Sequence, residues 1–110
     1  MKVEQKGHIT IIRETKGDVI AFVENISNQH STFSKQNLIL DITHDSSIKL
    51  GDLNIFKELS KKHLKLKKSL VIVAENIDFD KVPNSITVVP SILEAHDIIE
   101  MDEIERDLGF

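Results

Sequence analysis

The alternation of apolar and polar positions divides the chain into short segments of two different periods. Val3 to Gln5 and His8 to Arg13 are β-rich runs on either side of Lys6-Gly7. Gly7 can take the positive φ that a tight hairpin turn needs, so the chain is expected to open with a β-hairpin. Thr15-Lys16-Gly17 ends the run, and from Asp18 the period changes from two to 3.6. Val19, Phe22, Val23, Ile26, His30 and Phe33 recur at helical spacing and form one apolar stripe, which predicts an amphipathic helix with Asp18 at its N-terminus.

Leu38-Ile39-Leu40-Asp41-Ile42 and Leu70-Val71-Ile72-Val73-Ala74 are continuous apolar runs, as expected of strands covered on both faces. Between them, Thr43 to Ser47 reads as a loop. A second helix is expected from about Gly51-Asp52 to Leu66, with Leu53, Phe56, Leu59 or Ser60, His63 and Leu64 inward. Asn76 to Ser85 has room for at most one helical turn, and Ile86 to Val89 is the last strand. Ser91 and Glu94 form a capping box for a final helix whose stripe is read as Ile92, Ala95, His96, Ile99, Ile104 and Leu108, with Gly109 as C-terminal cap. The predicted order is β-β-α-β-α-β-β-α: an α/β domain with a mixed sheet, helices packed on it and right-handed crossovers.

Composition narrows the chemistry. The chain has 110 residues, enough for one domain and one core, which is read as spanning 1–110. A net charge of −4 is the wrong balance for tracking phosphates, so no nucleic-acid partner is expected. With no cysteine there is no disulfide framework and no thiolate chemistry. The N-terminus is too polar for a signal peptide and no apolar run approaches a membrane span, so the expectation is a cytoplasmic bacterial protein with no membrane partner. Gly7, Gly17, Gly51 and Gly109 are isolated, so neither a phosphate loop nor a dinucleotide fingerprint can be built.

The order of elements resembles the STAS domain of bacterial anti-sigma-factor antagonists and sulfate-transporter tails. The resemblance spans roughly Val3 to Ile104. It is carried by Leu38 to Ile42, the helix from Asp52, Leu70 to Ala74, and Val88-Val89 followed by Ser91 and Glu94 to Ile99. It implies a non-enzymatic, regulatory protein-interaction module. In that family the loop after the third strand and the start of the next helix dock on a kinase or regulator, and phosphorylation of a serine there breaks the complex. Here the corresponding segment is Ser46, Ser47, Lys49, Leu50, Gly51 and Asp52. An ungapped placement puts Leu50 at the family's serine, whereas a gapped one uses Asp45-Ser46-Ser47. The ungapped placement leaves the second helix long enough to return to Leu70. It is preferred, and it implies a lost phosphoserine switch, with Leu50 as an apolar contact. Ser46 and Ser47 are the remaining phosphorylation candidates.

The chain is also similar to short bacterial chains labelled ribonuclease Z, which would imply an RNA-processing enzyme or accessory. That chemistry needs a His-x-His-x-Asp-His cluster holding two metals. His8, His30, His44, His63 and His96 are scattered, so no catalytic residue, metal or cofactor is assigned. His44, Asp45 and Ser46 contain the parts of an acyl-transfer triad, but neighbours on one loop read first as turn and cap residues. His30, His63 and His96 lie on or beside apolar stripes and read as packed rings rather than metal ligands. A sensor of a small anionic ligand or nucleotide at the helix start near Asp52 is a third reading, weakened by repulsion from Asp45 and Asp52. Lysines between Lys57 and Lys68 and acids from Glu94 to Asp107 read as solvated helix faces. The sharper reading is that the acidic end meets a basic partner or the lysine face of a second copy, so the chain is expected to be a monomer or weak homodimer.

Overall fold

The computed structural model describes residues 1–109. Five strands form one mixed sheet in the order β1-β2-β3-β4-β5: β1 (Lys2–Lys6), β2 (Ile9–Arg13), β3 (Asn37–Asp41), β4 (Leu70–Val73) and β5 (Val88–Val89). β1 and β2 are the antiparallel hairpin, with Gly7 at φ +60° in its turn, and the other pairings are parallel. The three runs read as strands along residues 38–42, 70–74 and 86–89 therefore lie side by side. The third stands at the edge of the sheet rather than inside it and is short, with only Ile72↔Val88 and Val73↔Val89 paired before Pro90 interrupts it.

The parallel register sorts side chains onto two faces. Ile12, Leu40 and Ile72 share one face with the helices α1 (Val19–Asn28), α2 (His30–Phe33) and α3 (Lys57–Lys65). Ile11, Ile39 and Val71 face the other way, onto Ala95 and Ile99 of α4 (Ile92–Asp107). Inner strands covered on both sides have no polar face to spare, which is why β3 and β4 read as unbroken apolar runs. The other edge, β1, is mostly exposed, and a charged row blunts it: Arg13 bonds Glu4 at 3.0 Å and approaches Asp41 at 3.5 Å. The Arg13 guanidinium holds the Glu4 carboxyl below its usual range.

The helices depart from the sequence reading in four places. The first breaks at Gln29, whose N–H turns to the carbonyls of Asn25 and Ile26, and the short helix α2 carries His30 and Phe33 inward. The break comes at the polar run Ser27-Asn28-Gln29, where Ser27 and Asn28 favour caps over helix interiors. The second helix starts as a 3₁₀ segment, Leu50–Phe56, before becoming α-helical at Lys57. Leu64, expected inward, is 51% exposed, while His63 beside it is fully buried.

The last departure is the largest. Ile104 and Leu108 do not continue the buried stripe of α4 and point to solvent. At 3.6 residues per turn a position nine residues beyond Ile99 lies about half a revolution away. Ser91 caps this helix as expected, accepting from the Glu94 N–H at 3.2 Å and donating to its carboxylate at 3.0 Å.

Candidate functional site

Two loops meet above the carboxyl ends of β2 and β3, the rim where open α/β sheets hold their ligands. The first, between β2 and α1, is pinned by Glu14. This side chain is buried, and one of its oxygens accepts the N–H groups of Lys16 at 2.6 Å and Asp18 at 3.2 Å. Asp18 in turn caps α1 by accepting from the Ala21 N–H at 3.0 Å. These bonds fix where Gly17 to Ile20 face.

The second loop runs from β3 into the 3₁₀ segment. Asp41 accepts from the Thr43 N–H and hydroxyl at 3.0 and 2.7 Å. Asp45 repeats the device four residues on, accepting from the N–H and hydroxyl of Ser47 at 3.0 and 2.5 Å. The Lys49 N–H reaches the Asp52 carboxylate at 2.8 Å, and the Asp52 N–H returns to the Lys49 carbonyl. A loop made almost wholly of polar residues is thus tied to itself.

Between the two loops lies a groove of about 250 Å³. Its apolar wall is Val19, Ile20, Ile48 and Ile55, and its rim carries Asp18, Asp45 and Asp52. Among the described residues none of these three carboxylates has a cation within ion-pair distance. Ile20 is 64% exposed, an unusual position for an isoleucine whose helix neighbours Val19 and Phe22 are in the core.

Of the segment singled out by sequence, Ser47 and Asp52 line this groove. Ser46 and Lys49 are exposed, and Gly51 is an exposed residue of the 3₁₀ segment whose carbonyl accepts from Asn54. Leu50 is half-buried and packs against the main core, so it is in part a structural residue. The wall formed by Gly17 to Ile20 was not legible, although Ile20, out of phase with the α1 stripe, was a signal. His44 is exposed, and Ser47 gives its proton to Asp45 rather than to the histidine. No acyl-transfer relay is assembled there.

A second polar cluster sits at the opposite edge, where β3 and β4 begin. Asn37, 1% exposed, accepts the Ser69 N–H at 2.8 Å and donates to Glu103 at 2.9 Å and to the His8 carbonyl at 3.3 Å. The Ser69 hydroxyl donates to Asp102 at 2.7 Å and receives a bond from Arg106. His8 meets Glu103 at 2.5 Å. Every member is engaged with another, and the cluster fastens the second half of α4 to the strand starts. It works as a clamp, and sequence reading missed it because its parts are up to 98 positions apart (His8 to Arg106).

Next to that clamp, His30 and His63 pair at 3.0 Å with rings nearly perpendicular. His63 Nε2 lies 2.7 Å from the Gln36 carbonyl, which can only accept. His63 therefore carries its proton on Nε2, and its Nδ1 accepts from His30 Nε2–H. Burial pushes His63 down to about 4, reinforced by His30, Lys68 and Arg106 and opposed by the Gln36 bond. Burial lowers His30 too, with Lys62 adding to the effect. Among the described residues no group of three or more His, Asp or Glu side chains is placed to hold a metal, nor is any helix long and apolar enough to cross a membrane.

No protein-family model matches the sequence, and no curated protein matches it.

Proposed function

We propose that this chain is a non-enzymatic, regulatory protein-interaction module of the STAS type that binds a basic, aliphatic segment of another protein in the groove between Asp18–Ile20 and Asp45–Ile55. The observation that carries the reading is the groove itself: an aliphatic wall under a rim of three unneutralised carboxylates. Such a surface favours Lys or Arg beside Leu, Ile or Val, and repels nucleotides and other anions. The STAS resemblance points to the same place, since the loop after the third strand supplies one wall. Leu50 replaces the family's serine in the preferred placement, and Ser47 is held by Asp45, so the module works without a phosphoserine switch.

Replacing Ile20 by Arg tests this. Ile20 is exposed, so the fold tolerates the change, while the groove gains a bulky cation that repels a basic partner. In affinity capture from native lysate with quantitative mass spectrometry, the major specific partner should fall at least about tenfold, equivalent to about 1.4 kcal/mol. A Leu64→Arg control on α3 should leave it unchanged. Equal capture by the Ile20 variant and the parent chain would remove this site.

A further inference from the structure

The outer face of α4 is apolar where a packed surface helix should be polar. Leu93, Met101, Ile104 and Leu108 are 73%, 59%, 59% and 67% exposed. They recur at i, i+8, i+11 and i+15, which at 3.6 residues per turn keeps them within roughly a quarter of the helix circumference. That seam lies across the helix from Ala95 and Ile99, which bury into the sheet. An amphipathic helix with one buried face does not need a second apolar stripe, and an exposed apolar patch of this extent is the kind of feature that marks interaction sites.

Its flanks say what fits. By the same geometry Glu94 and Glu105 border one side of the seam and Glu100 and Asp107 the other, with Asp97 inside it. None of the five has an ion-pair partner among the described residues. Arg106, the one cation on this helix, is turned away to Ser69 and Asp102. Two copies joined seam to seam would set acid against acid, so a symmetric α4 pair is disfavoured.

The complementary surface is on the other face of the sheet. Lys57, Lys61 and Lys65, spaced four residues apart along α3, rim a groove of about 510 Å³ whose lining also holds Leu64, Ser85 and one carboxylate, Glu58, so three cations stand against a single acid. None of these lysines has an ion-pair partner among the described residues either. Leu64 is half-exposed, and Leu66 adds a further exposed apolar side chain just beyond the helix. We propose that the acidic, apolar outer face of α4 docks in the lysine-rimmed α3 groove of a second copy of this chain. The contact is heterologous: a joined pair keeps one face of each kind free, so assembly grows with concentration instead of stopping at a closed pair.

Sedimentation velocity with the full chain reads this directly. The weight-average mass should start at the 12.5 kDa of one chain. It should rise at least about twofold between micromolar and near-millimolar protein at low ionic strength, and fall back at ~1 M salt, where screening reaches within ~3 Å. The variants Lys61→Glu/Lys65→Glu and Asp97→Lys/Glu100→Lys/Glu105→Lys should each be monomeric alone, because each then carries two faces of one net sign. Mixed in equal amounts, they should associate again. All five positions are exposed, so circular dichroism should report an unchanged fold. A parent chain that stays at one-chain mass throughout overturns the proposal. So do variants that associate alone as the parent does, or a mixture that stays monomeric while the parent associates.

Discussion

Acidification from pH 6.5 to 4 should cost the folded chain about 3 kcal/mol, with about 2 kcal/mol already lost at pH 5. The source is His63, fully buried between His30 and the Gln36 carbonyl and held down to about 4. Above pH 6.5 neither the folded nor the unfolded chain protonates this ring, so its contribution to stability is complete. Below 6.5 the unfolded chain takes up a proton that the folded chain refuses, and stability drains away until the folded ring also titrates near 4. His30 is lowered in the same direction and adds to the loss. Protonating His63 at Nδ1 turns a second donor towards His30 Nε2, so the pair survives only if His30 shifts its own proton to Nδ1. Urea midpoints at pH 7 and pH 5 read the effect. His63→Gln, which keeps a donor for the Gln36 carbonyl, should be less stable at pH 7 and lose much less between the two. An equally steep decline in the variant would show that the drop comes from elsewhere.

Asn37→Leu is the second large effect, a loss of about 3 kcal/mol at neutral pH. The side chain is 1% exposed and makes three bonds at once, to the Ser69 N–H, Glu103 and the His8 carbonyl. Leucine of similar size leaves the Ser69 amide buried with no acceptor, worth about 1–3 kcal/mol alone, and takes from Glu103 one of its two partners, leaving only His8. Asn37→Asp keeps the acceptor but sets a carboxylate against Glu103. It should also be destabilising, and Glu103→Gln in the same chain should recover a substantial part of the loss. Chemical denaturation of the four proteins checks both statements. An Asn37→Leu protein within about 1 kcal/mol of the parent would mean that α4 is held by its apolar contacts alone.

Much of the fold was legible because local pattern and tertiary position agree. The hairpin follows from two alternating runs around Gly7, and β3 and β4 from apolar runs that only a sheet covered on both faces can bury. The capping bonds of Asp18 and Ser91 stand where their residue types pointed. What failed did so for reasons of geometry. Extending the α4 stripe to Ile104 and Leu108 ignored the angular drift of helical positions, and with it the exposed seam went unseen. The Gln29 break is a local choice of polar residues that the apolar stripe from Ile26 to His30 concealed. The site was half legible. Ser47 and Asp52 were marked by their place after β3, but the opposite wall, Gly17 to Ile20, comes from a loop about 30 positions earlier that only parallel pairing of β2 with β3 brings alongside. The same holds for the Asn37 clamp, whose members no spacing rule connects.

The proposed groove is a receptor for basic, aliphatic sequence. A random twelve-residue peptide library selected against the immobilised chain, then counter-screened on the Ile20→Arg variant, measures that preference whatever the natural partner is. The expected survivors combine Lys or Arg with Leu, Ile or Val and bind the variant at least about tenfold more weakly. Survivors rich in Asp or Glu, or binding both proteins equally, would contradict it.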